Sequence, residues 1–122
     1  MLSAQIELIL LLTGLATSSA LVMFLAPTTT MKMLFGRAAS DTVSILIARH
    51  WGLLIFLVGQ LLVYAAYNAE IRVVALILAI VEKVMFAILV FVSPLRRSRT
   101  AIVVALGDTS MAVIYLMCLT GL

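Results

Sequence analysis

The stretch IRVVALILAIVEKVMFAILVFV, residues 71–92, decides the fold class because it is apolar except for Arg72 and the neighbours Glu82 and Lys83. A helix needs about 20 apolar residues to cross the hydrocarbon core of a bilayer, and this stretch is long enough. In lipid, every backbone amide must find its hydrogen bond inside the segment, which favours a helix. Residues 71–92 are therefore predicted to span a membrane, and the two charges near the middle need partners.

Three further apolar runs have the same character. The 122 residues are 66% hydrophobic and only 11% charged, and the mean hydropathy is +1.32, which is too apolar for a soluble domain. The runs predict further helices at about residues 5–26, 45–67 and 100–122,. We expect a single all-α domain over residues 1–122, a polytopic membrane protein folded as a four-helix transmembrane bundle. Ser40 or Asp41 would cap the second helix, and a brief interfacial helix is expected around Met31 to Phe35.

The positive charges indicate the orientation of the bundle. The connections after the first and third helices lie on one side and are basic, whereas the opposite side carries Arg72. Short loops rich in Lys and Arg stay in the cytoplasm, so both termini are expected outside. The net charge of +3 comes mostly from these loops and gives no reason to expect nucleic acid,. The basic residues of the two loops are Lys32, Arg37, Arg96, Arg97 and Arg99.

Titratable side chains on three predicted helices fall in the same cytoplasmic half of the bundle. With about 1.5 Å of rise per residue, Lys83 lies roughly 14 Å and Asp108 roughly 12 Å from the cytoplasmic ends of their helices. This match predicts a Lys83–Asp108 ion pair, which either fixes helix register or serves a function. Successive residues diverge by about 100° around a helix, so Glu82 is expected to pair elsewhere. Its candidate partners on the second helix are Arg49, His50, Gln60 and Tyr64.

These polar groups define a candidate site. Glu82, Asp108 and His50 are the candidate catalytic residues, because a carboxyl or imidazole in a low dielectric suits acid–base chemistry. With one histidine and one cysteine in the chain, the sequence predicts no disulfide, no metal site and no cofactor,. The candidate ligand-binding residues, which would line the bundle interior, are Arg49, Gln60, Tyr64, Lys83 and Tyr115.

The chain contains the stretches ARHWGLLIFLVGQLLVYAA (48–66) and IRVVALILAIVEKVMFAILVF (71–91), followed by Asp108 and the pair Tyr115–Leu116. Together these features resemble small bacterial four-helix membrane proteins of the DoxX-like kind. The resemblance implies a four-helix bundle in the bacterial inner (plasma) membrane and no particular activity.

Two other families are similar in size and helix number. Small multidrug resistance transporters carry a glutamate deep in the first helix, where this chain has only Glu7 near the end. The membrane glutathione-transferase superfamily continues its Arg-His motif with an Asn and a Glu, which are absent after ARHWG.

Three functions stay open on the sequence. In the first, the protein binds a lipid, terpenoid or quinone-like molecule in an intramembrane cavity, and any catalysis is acid–base chemistry of the isomerase, cyclase or hydratase type. In the second, it is an accessory or assembly subunit of a larger membrane complex. In the third, it is a proton-coupled small multidrug-type transporter that acts as an oligomer. The expected partners are membrane lipid and a lipophilic small molecule, with a homo-oligomer or a larger complex as alternatives, and nucleic acid is not expected.

Overall fold

The computed structural model describes residues 5–38 and 40–120, and the regular elements within these ranges are helices. They are α1 (Ile6–Ser18), α2 (Leu21–Leu25), α3 (Pro27–Phe35), α4 (Thr42–Tyr67), α5 (Arg72–Phe91) and α6 (Arg99–Leu119), with 3₁₀ turns at Ala69–Ile71 and Pro94–Arg97. Four segments are long and apolar enough to cross a membrane: Ile6–Leu25, Thr42–Tyr67, Ala69–Phe91 and Arg99–Leu119. The predicted all-α bundle of four spanning helices is confirmed, and the chain is a multi-pass membrane protein.

The helix ends differ from the predicted ones where side chains cap the backbone. Helix α4 begins three residues earlier than predicted because the Asp41 carboxylate accepts a hydrogen bond from the Ser44 amide at 2.9 Å,. Helix α6 is capped in the same way by Ser98, whose Oγ accepts from the Ala101 amide at 3.3 Å. The predicted end of this last helix at residue 122 lies outside the described residues.

The first span is broken, whereas the sequence predicts a continuous helix over residues 5–26. Helix α1 ends at Ser18, and α2 begins at Leu21. The hydroxyls of Thr17, Ser18 and Ser19 donate to the carbonyl oxygens of residues 13, 14 and 16 at 2.8, 2.7 and 2.6 Å. Such bonds compete with the backbone ladder and bend helices, which accounts for the break.

Helix α3 turns the chain back after the first span. A residue before proline avoids the helical conformation, and Ala26 accordingly has φ −138° and ψ 70°, so that Pro27 starts a new helix,. The helix ends at Gly36, whose φ of +81° is the left-handed conformation that favours glycine,. A helix is thus present at the predicted position, Met31 to Phe35, but it starts four residues earlier.

Glycines let the first span lie directly on α4. A Cβ added to Gly14 would lie 2.9 Å from the carbonyl oxygen of Gly59, and one added to Gly52 would lie 2.6 Å from the Met23 Cβ. Membrane helices associate through such close backbone contact, since lipid provides no hydrophobic drive between them. Helix α5 packs mainly on α6 and also on α4, which completes the bundle.

Arg72 stabilises the tight turn between α4 and α5. Its Nε and Nη2 donate to the carbonyl oxygens of Ala65 and Ala66 at 2.8 and 2.9 Å, which satisfies the last turn of α4,. The same guanidinium lies 3.7 Å from the Glu7 carboxylate of the first span. This end of the bundle is thus tied together far from the charges near the middle of α5.

Candidate functional site

Lys83 is a charged side chain that is only 2% exposed, and its ammonium group joins three helices. The Nζ atom donates a hydrogen bond to Thr17 Oγ1 of α1 at 2.9 Å and lies 3.4 Å from Asp108 Oδ1 of α6. It also lies 3.7 Å from Oε1 of the neighbouring Glu82. We call Glu82, Lys83 and Asp108 the ion cluster. The predicted Lys83–Asp108 ion pair is confirmed as a contact.

The predicted partners of Glu82 are wrong. None of Arg49, His50, Gln60 and Tyr64 bonds to Glu82; its ionic contact among the described residues is with Lys83. The Cα–Cβ directions of residues 82 and 83 do diverge, but the four-carbon lysine side chain is long enough to bring Nζ back beside Glu82. Oε1 of Glu82 is buried and accepts no hydrogen bond from the described residues. One carboxylate oxygen in the cluster is therefore left without a donor.

A cavity of about 280 Å³ opens beside the ion cluster. The break in the first span forms part of its wall through Ser19 and Ala20, and α3 contributes Thr30 and Met33. Helices α1 and α2 on either side of the break, together with α4, α5 and α6, supply the remaining walls, so the first span, α3, α4, α5 and α6 all meet at this space. The other residues that line it are Ala16, Thr17, Val22, Met23, Leu34, Trp51, Ile55, Glu82, Lys83, Phe86, Thr100, Val104 and Asp108.

Two aromatic side chains stand on the α4–α5 side of the cavity. The rings of Trp51 and Phe86 are stacked, with centroids 5.9 Å apart and planes 25° from parallel. Phe86 lies one helical turn after Glu82 and Lys83, so it shares their side of α5. The cavity therefore combines apolar and aromatic walls with charged groups on one side.

Arg49 and His50, both predicted for the site, lie elsewhere. They are exposed and line a separate shallow groove with Phe24 and Leu53. The sequence offered His50 as a partner of Glu82, but the two residues line different spaces. The structure does not bring this imidazole to the ion cluster.

Gln60, Tyr64 and Tyr115 are also separate from the cavity. Gln60 Nε2 donates to Ser18 Oγ at 2.9 Å, and the exposed Tyr64 hydroxyl accepts from Asn68 Nδ2 at 3.0 Å. Tyr115 is fully buried in the apolar core, with no hydrogen bond of standard geometry to the described residues. Of the eight predicted site residues, Glu82, Lys83 and Asp108 thus meet at the cavity.

Three residues of the site are missing from the predicted set. Thr17 supplies the shortest bond to Lys83, and Trp51 and Phe86 form the aromatic wall. Thr17 could be found from the sequence because it follows Thr13 by four residues, which places two hydroxyl groups on one face of an apolar helix. Phe86 could be found as the residue one turn after Glu82, whereas nothing in the sequence separates Trp51 from an interfacial anchor.

The described residues contain no group of three His, Cys, Asp or Glu side chains placed to hold a metal ion. The polar chemistry of the cavity therefore rests on two carboxyl groups, one ammonium group and the hydroxyls of Thr17, Ser19, Thr30 and Thr100.

Comparison with protein-family models, with curated proteins and with solved structures finds no match to this chain. The fold and the spans define it as a small polytopic α-helical membrane protein.

Proposed function

We propose that this chain binds a lipophilic small molecule, such as a lipid, terpenoid or quinone-like compound, inside the membrane. The observation that carries the proposal is the cavity of about 280 Å³ with apolar walls and the ion cluster on one side. Small-molecule sites are mostly apolar concave spaces, commonly about 300–1,000 Å³, with few polar groups that orient the ligand. The cavity is close to the lower end of that range.

The position of the cluster supports a site rather than a chance placement of charge. Lys83 and Asp108 lie about 12 and 14 Å from the cytoplasmic ends of their helices, a depth that would place them in the hydrocarbon region of a membrane,. Ionisable side chains at such depth are expensive and commonly mark a ligand or ion site. A pair that only fixed helix register would need no cavity beside it.

Acid–base chemistry is the reaction type that the cavity suits. Glu82 and Asp108 are carboxyl groups beside an apolar space, where a proton can be given to or taken from a bound molecule. Isomerisation, cyclisation or hydration of a terpenoid or quinone-like lipid would use such groups. We leave His50 outside this proposed site because its imidazole belongs to a different groove.

We also propose the cellular setting. The quoted resemblance to DoxX-like proteins supports the bacterial inner membrane, and the basic loops support a cytoplasmic location for the cavity end of the bundle. Both termini would then lie outside.

A cavity-filling pair of variants tests the proposal. Val104 lines the cavity, whereas the neighbouring Val103 is 62% exposed and does not. Protein purified from native membranes is extracted, and the lipophilic compounds that accompany it are quantified by mass spectrometry. We expect a specific compound with the natural chain and with Val103→Phe, and a loss of at least roughly tenfold in its amount with Val104→Phe, because the added ring occupies the cavity. Equal amounts in both variants would contradict binding in this cavity.

The same preparations separate the alternatives. An accessory subunit would co-purify with a larger complex at fixed stoichiometry, and its recovery would not depend on Val104. A proton-coupled transporter would show flux in proteoliposomes that depends on an imposed proton gradient.

A further inference from the structure

We propose that the molecule bound in this cavity is a lipophilic monocation, meaning a quaternary ammonium or protonated amine that carries an aromatic or alkyl group. The inference rests on the proposed function, since it names the class of the ligand for the same cavity. It is drawn from the formal charge of the cavity, from the position of Glu82 and from the aromatic wall.

The formal charge of the cavity is negative. Glu82 and Asp108 contribute two carboxylates, and Lys83 contributes one ammonium group; the other residues that line the space carry no charge. One negative charge is therefore uncompensated in a surrounding of low dielectric, where such a charge is costly. An anionic ligand would add to this charge, a neutral ligand would leave it, and a monocation would cancel it.

The uncompensated charge can be located at Glu82. The Lys83 ammonium directs hydrogen bonds to Thr17 and Asp108. Its distance of 3.7 Å to Glu82 Oε1 is too long for a hydrogen bond, and this buried oxygen has no other donor among the described residues,. Glu82 is therefore the carboxylate that Lys83 compensates less closely, since the ammonium nitrogen lies 3.4 Å from Asp108 and 3.7 Å from Glu82.

The aromatic wall matches an organic cation better than a metal ion. Phe86 lies on the same side of α5 as Glu82, and its ring stacks on Trp51. Ring faces attract ammonium groups, and the attraction increases when water is excluded. A small hydrated metal ion would gain nothing from these rings or from the methionine and aliphatic side chains around them.

Three probes of similar shape test the charge preference directly. They are benzyltrimethylammonium, its neutral isostere neopentylbenzene, in which carbon replaces the charged nitrogen, and the anion phenylmethanesulfonate. The full chain is placed in nanodiscs of zwitterionic lipid, and free concentrations are corrected with protein-free discs. Trp51 is the single tryptophan of the chain, and its fluorescence reports binding. Because Trp51 lines both the cavity and a neighbouring groove, Val104→Phe, which fills the cavity alone, must abolish the fluorescence change if the probe binds in the cavity.

We expect the cation to bind at least roughly tenfold more tightly than the neutral isostere, which corresponds to one desolvated charge–aromatic contact or more. The anion should produce no saturable change. If the neutral isostere binds as tightly as the cation, a proton already neutralises the cluster and the inference is wrong, while the proposed function stands. If no probe binds, the inference is wrong, and the proposed function is decided separately by the compounds recovered with Val103→Phe and Val104→Phe.

Variants then assign the preference to Glu82. Glu82→Gln, which keeps the side-chain shape, should remove the tenfold preference for the cation and leave the neutral isostere unchanged. Glu7→Gln removes an exposed carboxylate at the other end of the bundle and is the matched control. Should Glu82→Gln not fold, Phe86→Leu provides a second test, since it should weaken the cation more than the neutral isostere. An unchanged ratio of the two affinities in the folded variant would overturn the assignment.

Discussion

The Lys83 ammonium group donates hydrogen bonds to oxygen atoms of two other helices and lies 3.7 Å from the Glu82 carboxylate of its own helix. Its nearest contact, at 2.9 Å, is the hydroxyl of Thr17, which is 66 residues away in the chain. A buried charge with this arrangement is expensive to remove from water but more expensive to leave without partners. The stability of the bundle should therefore depend on the cluster as a unit.

Replacing Lys83 by Met should lower the free energy of unfolding by about 3 kcal/mol, because Glu82 and Asp108 are then buried without a counter-charge. The measurement is unfolding by sodium dodecyl sulfate in mixed micelles, followed by circular dichroism. Arg49→Met, on the exposed side of α4, is the control and should change stability by about 0.5 kcal/mol or less. Adding Asp108→Leu to Lys83→Met should restore part of the loss; a double variant that is less stable than the single one would contradict an ion pair.

Asp41 should make the start of α4 sensitive to acid. The hydrogen bond from the Ser44 amide holds the pKa of this exposed carboxyl below its ordinary value of 3.8. A lowered pKa in the folded protein means that the stabilisation is present above pH 3.8 and is lost as the pH falls through the folded pKa,. We expect Asp41→Ala to lower the thermal midpoint slightly at pH 7 and the difference from the natural chain to shrink at pH 3. A difference of equal size at both pH values would exclude a role for the ionised carboxylate.

The residue-level interactions were predictable only in part. Matching the depth of Lys83 and Asp108 along their helices identifies a true contact, because rise per residue is nearly constant in a helix. The partner of Glu82 could not be found in this way. Helix geometry gives the direction of Cβ but not the path of a long lysine side chain, which here returns to its sequence neighbour.

At the scale of the elements, the first span differs most from its predicted form. Hydropathy marks residues 5–26 as one continuous apolar run, but the hydroxyls of Thr17, Ser18 and Ser19 divide it into α1 and α2. Apolar composition reports that a segment can lie in lipid, not that its backbone ladder is unbroken. The break matters for the site, since Ser19 and Ala20 form part of the cavity wall.

The contact of the first span with α4 should tolerate no added side chain at Gly59. A Cβ at this position would lie 2.7 Å from the carbonyl oxygen of Gly14 and 2.5 Å from the Ser18 amide nitrogen. We expect Gly59→Ala to lower the free energy of unfolding in mixed micelles by about 2 kcal/mol, because the backbones must move apart.

Gly107 on α6 is a matched control for Gly59. An added Cβ meets no atom within 4 Å at this position, which is exposed. Gly107→Ala should be neutral or stabilising by up to about 1 kcal/mol, since alanine favours the helix over glycine. If the two substitutions have the same effect, helix propensity rather than packing explains the result at Gly59.

For the whole molecule, four spans and a bias of basic residues predict a single orientation. Arg37 follows α3, and Ala69 lies in the turn between α4 and α5; both residues are exposed. In a chain with Cys118→Ser, an impermeant maleimide should label Ala69→Cys on intact spheroplasts. Arg37→Cys should react only after lysis. The reverse pattern would invert the proposed topology, and half labelling of both sites would indicate dual insertion.

The overall bundle is well predicted because long apolar runs in a chain of this composition have few alternatives. The location of the cavity is not, since it depends on how five segments meet rather than on any one of them. Glu82 and Asp108 can be singled out as polar groups in apolar helices, but only the packing of α3 and the broken first span shows which space they face.

The wide spacing of the cluster along the chain has a consequence for biosynthesis. When α5 leaves the ribosome, Lys83 is already next to Glu82 in the chain. Its contact with Thr17 forms once α5 lies beside the first span. Its contact with Asp108 needs 25 further residues of the chain. The adjacent glutamate can therefore act as a temporary counter-ion that eases entry of α5 into the bilayer. A nascent chain that stops before α6 keeps this provisional pairing but lacks the Asp108 carboxylate, so the full set of contacts around Lys83 requires the last span.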